Sequence, residues 1–190
     1  GRPDYLPDEI EFIQGDVSSR EELDRALKGV TYVFHLAAYQ DYLPDFSTFF
    51  HVNAESTALL YELIIGKNYP VEKVIVGSSQ AVYGEGRYEC SRHGEVYPDL
   101  RVEARLKKAE WEPTCPECGQ ASRWLSTDER TVNPQNQYAL SKYSQESIAL
   151  TLGKRYRIPT VAMRYSIIQG PRQSFFNAYS GACRIFCPAF

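Results

Sequence analysis

The chain has 190 residues, 43% of them apolar and 24% charged, which suffices for one sizeable core and is ordinary for a globular domain. Its net charge of −3 gives no chain-wide attraction to nucleic acid or to an anionic membrane. No apolar run approaches the ~20 residues of a membrane span, and no basic-then-apolar leader opens the chain, so a cytoplasmic protein is expected.

In chain order, Glu9 to Ile13 alternates and closes at Gly15-Asp16, which predicts a strand and its exit. Ser19-Arg-Glu-Glu22 is a capping box and Gly29 a stop, which predicts a helix over 19–28. Thr31 to Ala38 is a near-continuous apolar run, the pattern of a strand buried on both faces. A helix is expected over 50–65, then a second buried strand from Val71 to Gly77 that ends in Ser78-Ser79. The polar segment Asn133-Pro-Gln-Asn136 precedes a helix over 137–153, and Thr160 to Tyr165 reads as a strand. A further helix is expected over 177–187, with Cys183 and Cys187 in its core.

Alternation of strand and helix argues an α/β fold: a Rossmann-like doubly wound parallel sheet, incomplete in this chain, with helices on both faces. Ligands in such sheets bind beyond the carboxyl ends of the strands. Small or polar residues stand at four of those ends: Asp16, Ala37-Ala38, Ser78-Ser79 and Tyr165-Ser166. Residues 85–132 interrupt the alternation, so the sheet domain is expected to comprise 1–84 and 133–190, with 85–132 as an insert.

Tyr138-Ala-Leu-Ser-Lys142 puts a phenol and an ammonium four residues apart on one helix face. A cation beside a phenol favours the phenolate and lowers its pKa, which suits proton transfer to and from an alcohol. Inside the insert, Cys90-Ser-Arg-His93 and Cys115-Pro-Glu-Cys118 form a C-x-x-H and C-x-x-C pair. Three thiolates and an imidazole suit a tetrahedral structural zinc in a zinc-ribbon-like lobe, and Gly94 and Gly119 follow each half. The competing reading is free thiols or a transient disulfide. The five cysteines, odd in number, fit a reducing compartment. His35 lies within a predicted buried strand and is expected to be a hydrogen-bonded core residue.

Together, His35-Leu-Ala-Ala38, Asn53, Ser78-Ser79-x-x-Val-Tyr-Gly84, Tyr138-x-x-x-Lys142, Arg164-Tyr165 and Gly170-Pro171-Arg172 resemble the extended short-chain dehydrogenase/reductase family. The similarity is to its NAD-dependent nucleotide-sugar epimerases and dehydratases. The resemblance implies that Asp16 and Val17 hold the adenine of NAD, and that Leu36, Ala37 and Ala38 lie against its phosphates and ribose. It implies that Asn53 supports the pocket and that Ser78 and Tyr165 lie at the nicotinamide. Ser79 would bind the reacting sugar oxygen, Tyr138 act as acid/base, and Lys142 assist it and grip the nicotinamide ribose.

The implied activity is epimerisation of a nucleotide-activated (6-deoxy)hexose through a 4-keto intermediate, with a nucleotide sugar as partner and a homodimer through helices 50–65 and 137–153. A dehydratase of this family carries Asp-Glu after the catalytic hydroxyl, where this chain has Gln80-Ala81, neither of which titrates. Ser166-Ile167-Ile168 replaces the family's Phe-Asn, and Ile167 cannot hydrogen-bond a substrate diphosphate. A sugar or secondary-alcohol dehydrogenase of the same family is therefore the alternative, and a non-catalytic fragment carrying a zinc-ribbon interaction module is the third. The family opens with a Gly-x-x-Gly-x-x-Gly turn that this chain lacks. The expectation is a fragment short of about 60 residues at the front and of a substrate lobe after Phe190, inactive in isolation, while the full-length protein is an isomerase.

Overall fold

The computed structural model describes residues 1–172, so the expected helix over 177–187 lies outside the described residues. Helix α1 runs Arg20–Ala26 and strand β1 Tyr32–His35. A long helical stretch follows as α2 Phe46–Phe50, a π-helical turn His51–Glu55 and α3 Ser56–Gly66. Strand β2 (Lys73–Ser79) ends in a 3₁₀ turn, Gln80–Tyr83. The insert supplies β3 Arg87–Cys90, β4 Gly94–Val96, α4 Glu103–Leu106 and β5 Arg123–Leu125; then come α5 Gln137–Tyr156 and β6 Thr160–Tyr165.

Strands β1, β2 and β6 pair in parallel in that order, with His35 opposite Val76 and Ser79 opposite Tyr165. Parallel strands in sequence order need crossovers, and right-handed crossovers all running one way place their helices on one face. That face carries the core: Leu60, Tyr61, Leu63 and Ile64 of α3 and Ala149 of α5 close over Val74 and Val76. Leu23 and Leu27 extend it from the end of α1.

The described residues leave the opposite face exposed. Tyr32 and Phe34 are 57% and 64% exposed, and Val161 and Met163 on β6 are also exposed. The apolar run 31–38 is therefore not a strand buried on both faces, and the helices of the described residues do not cover both faces of the sheet. The apolar run carried no sign of this, because burial on the second face depends on what packs there.

The strand expected at 9–13 is not formed. Among the described residues it has no neighbouring strand to pair with, and a lone extended segment leaves its amides to water. The Arg2 guanidinium instead gathers the carbonyls of Leu6, Pro7 and Ile10 from a series of turns. The capping box at Ser19 is half made: Ser19 Oγ accepts from the Glu22 amide, but the Glu22 carboxylate reaches past it to the Asp16 amide. Helix α5 is longer than expected, capped at its start by Asn136, whose side chain accepts from the Ala139 amide. Among the described residues no helix is long and apolar enough to cross a membrane.

Candidate active site

A cleft of about 1210 Å³ opens at the carboxyl ends of the parallel strands. Leu36 and Ala38 line it from the loop after β1, Ser78 and Ser79 from β2, Tyr165 from β6, and Tyr138 and Lys142 from the start of α5. Ala37 is not among its lining residues. Ser79 caps the 3₁₀ turn, its oxygen accepting from the Ala81 amide at 3.1 Å. That contact uses a lone pair and leaves the hydroxyl proton to donate to an oxygen in the cleft.

Tyr138 and Lys142 share the cleft, but the electrostatics differ from the sequence expectation. Burial lifts the Tyr138 phenol above its ordinary value, and the Ser79 hydroxyl works against that rise. Lys142 is 2% exposed, and burial lowers its pKa to about 8. Its Nζ donates to Gln145 Oε1 at 2.5 Å, one turn further along α5. The expected lowering of the phenol by this cation is absent here, because desolvation by burial dominates.

Asn53, fully buried on the π-helical turn, clamps the loop after β1. Its oxygen accepts from the Tyr39 amide at 2.7 Å, and its nitrogen donates to the Tyr39 carbonyl at 3.0 Å and to Ser141 Oγ at 2.9 Å. A π-helical turn inside an α-helix is a local irregularity often found at functional sites, and here it carries this clamp. Ser78 donates from Oγ to Glu146 Oε2 at 2.7 Å. Arg164 forks onto the same carboxylate, Nε to Oε2 at 3.0 Å and Nη2 to Oε1 at 2.7 Å. It also donates to the Thr131 carbonyl at 2.9 Å and lies 4.7 Å over the Tyr83 ring. Asp16 and Val17 stand before α1 and are not among the cleft's lining residues; the Asp16 carboxylate accepts from the Ser18 amide.

Glu146 and Arg164 join the site without an expected role, although both carry a signal. Glu146 repeats the Tyr138–Lys142 spacing on the same helix face, and Arg164 is a charge inside an apolar strand. Gln145 carries no such signal.

In the insert, β4, β3 and β5 form an antiparallel sheet. It brings together Cys90, His93, Cys115 and Cys118, whose ligand atoms all lie within 4.8 Å of one another. Cys90 Sγ is 3.7 Å from Cys118 Sγ, and His93 Nδ1 is 3.3 Å from Cys115 Sγ. Ligands about 2.3 Å from one tetrahedral ion sit roughly 3.8 Å apart, so the four groups fit a single zinc-sized ion. Gly94 and Gly119 both take φ of +69°, the left-handed turn each half-site needs.

A parallel sheet with a Tyr-x-x-x-Lys helix and a serine-tipped strand facing one cleft defines an NAD-binding Rossmann-like domain of the short-chain dehydrogenase/reductase type. The chain belongs to the NAD-binding family described as "Male sterility protein", which it matches over residues 4–187. It is 28% identical over 190 residues to the dTDP-L-rhamnose 4-epimerase of Burkholderia thailandensis, covering 97% of this chain and 51% of that protein. The chain thus spans about half the length of that relative. Among solved structures it resembles the UDP-glucuronic acid 4-epimerase of Bacillus cereus in complex with NAD, at 25% identity and a TM-score of 0.60, covering 88% of this chain and 42% of that one. It shares the fold of the Thermus thermophilus UDP-glucose 4-epimerase complex with NAD, at 22% identity and a TM-score of 0.65, covering 95% and 48%.

Proposed function

We propose that the whole protein is an NAD-dependent epimerase of a nucleotide-activated hexose, a 6-deoxyhexose inverted at C4. The observation that carries this reading is the meeting of Ser79, Tyr138 and Lys142 in one cleft, with Gln80 and Ala81 where elimination would need an acid and a base. The cleft is large enough for a dinucleotide and a sugar together. Leu36, Ala38, Ser78 and Tyr165 would hold NAD along the strand ends, with Lys142 at its ribose and Asn53 fixing the loop behind it. Asp16, Val17 and Ala37 would complete the adenine and phosphate contacts. NAD, when bound, supplies the hydride acceptor and donor for a 4-keto intermediate.

The protein's own part is the proton. Ser79 donates its hydroxyl hydrogen to the substrate oxygen and stabilises charge that develops there. Tyr138 takes the hydroxyl proton and returns it. A phenol raised by burial needs a positive charge nearby to ionise at neutral pH, and Lys142, kept cationic, is the group placed to supply it. The insert 85–132 is read as a lobe stapled by a structural zinc on Cys90, His93, Cys115 and Cys118, a closed set that leaves no position for substrate. A homodimer through the helices of 50–65 and 137–153 and a cytoplasmic location belong to the same reading.

Ile167 lines the cleft, 61% exposed, and offers no hydrogen bond to a diphosphate, which favours a dehydrogenase as the second reading. Incubation of the whole protein with dTDP- and UDP-hexoses separates the two. An epimerase interconverts sugar stereoisomers, seen by proton NMR, with no net change in reduced-nicotinamide absorbance. Net reduction of NAD without an epimer would overturn the epimerase reading.

A further inference from the structure

Behind Lys142 runs a line of buried polar side chains from three elements. Lys142 Nζ donates to Gln145 Oε1 at 2.5 Å. Gln145 Nε2 donates to Thr57 Oγ1 on α3 at 3.1 Å, and Thr57 Oγ1 lies 2.9 Å from His35 Nε2 at the end of β1. Gln145 and Thr57 are fully buried, and His35 is 5% exposed. Of these side chains only Lys142 reaches the cleft.

The direction of every bond in the line follows from one end. An ammonium only donates, so the oxygen of the Gln145 amide must face Lys142 and its nitrogen must face Thr57. Thr57 gives its single proton to the Asn53 carbonyl at 2.9 Å. It can therefore only accept from both Gln145 and His35. His35 must then carry its proton on Nε2 and be neutral or doubly protonated; burial, with the positive charge of Lys142 adding to it, lowers its pKa to about 4 and keeps the ring neutral. The chain has one self-consistent arrangement, and it ends on the ammonium.

We propose that Gln145, oriented by Thr57 and His35, is a positioning residue that holds one N–H of Lys142 with an uncharged acceptor. An ammonium has three hydrogens, so this leaves two for the cleft, where Tyr138 and a bound ribose would meet them. The lack of charge on the acceptor matters. A carboxylate at 145 would pair with the ammonium and cancel the field at Tyr138, while an apolar residue would leave the buried cation without a partner. This inference rests on the reading of Tyr138 and Lys142 as the proton-transfer pair. Of the titratable groups on the elements around Lys142, His35 on β1 feels its charge, Tyr138 on its own helix and Tyr165 on β6 line the same cleft, and Glu146, four residues on, is engaged by Arg164.

The test has two arms. With no cofactor added, titration of Lys142 by NMR at its ζ-nitrogen should move below its value of about 8 in Gln145→Leu and above it in the near-isosteric Gln145→Glu. The His35 ring should report the Nε2-protonated tautomer, and Thr57→Ser, which keeps the hydroxyl, should preserve it while Thr57→Val does not. In the whole protein with NAD and its sugar, Gln145→Leu and Thr57→Val should each lower kcat by about ten-fold, with the basic limb of the pH profile displaced to lower pH and KM little changed. Thr57→Ser should restore both. An unmoved Lys142 titration in both Gln145 variants would overturn the proposal, as would an unmoved pH limb with reduced stability alone. Full turnover of Tyr138→Phe would instead refute the proton-transfer reading, and the cofactor-free titrations would still decide the role of Gln145.

Discussion

Nine buried residues from the elements around the parallel sheet close its core, whereas the core of the insert comes down to Cys90, Val96 and Cys115. Leu60, Leu63 and Ile64 on the one side, and Val74 and Val76 on the other, take a large apolar area out of water, and hydrophobic burial suffices to hold such a layer together. Three short strands around two cysteines and a valine remove far less. Small lobes of that kind stand when a metal or a crosslink supplies the missing free energy. The sheet body is therefore held by packing, whereas the insert has little apolar core of its own.

The largest effect expected concerns the insert alone. Withdrawing metal with a chelator, or Cys115→Ser, should melt residues 87–125, because binding of a structural zinc supplies on the order of 10 kcal/mol of folding free energy. Hydrogen exchange should show β3–β5 unprotected while α3, α5 and β2 keep their protection. Unchanged protection in the insert would mean that its cysteines hold no structural ion and that the contrast is false.

A middle effect probes the body. Glu146 and Arg164 are each 8% exposed and bonded on both carboxylate oxygens. Removing one partner strands a buried charge, so Glu146→Ala should cost about 3–5 kcal/mol in urea unfolding and leave the metal content of the insert unaltered. Loss of metal together with stability would show that the two regions are coupled.

The smallest effect is the acid limb of the body's stability. Burial first, and the charge of Lys142 second, depress His35 to about 4, below its ordinary 6.5. Its contribution is complete above pH 6.5 and is lost as pH falls through about 4, since the unfolded chain binds the proton that the folded one refuses. The full amount is on the order of 3 kcal/mol. Urea midpoints between pH 7 and pH 4 check it, and His35→Gln should flatten that part of the curve.

Much of this was readable in the sequence, in physically distinct degrees. Helix α5 and strands β2 and β6 announced themselves by the polar segment Asn133-Pro-Gln-Asn136 and by apolar runs. The C-x-x-H and C-x-x-C spacing foretold a four-atom cluster, because a tight turn fixes where two residues three apart can point. Which faces are buried was not readable, since Phe34 and Met163 look the same in sequence whether or not a layer covers them. The strand expected at 9–13 failed because pairing is a property of the neighbour, not of the segment. The sign of the Tyr138 shift failed because the sequence shows a lysine four residues on but not the burial of the phenol, which outweighs it. The bonds of Ser78, Glu146 and Arg164 join residues up to 68 apart in the chain, beyond any local pattern.

The claim at the centre is that the Tyr138 phenol moves the substrate's proton. Turnover of a nucleotide hexose by the whole protein carrying Tyr138→Phe tests it most directly, with NAD binding measured alongside. The account predicts a fall in kcat of about 10²–10⁴-fold with NAD affinity nearly unchanged. Wild-type turnover by the phenylalanine variant would contradict it.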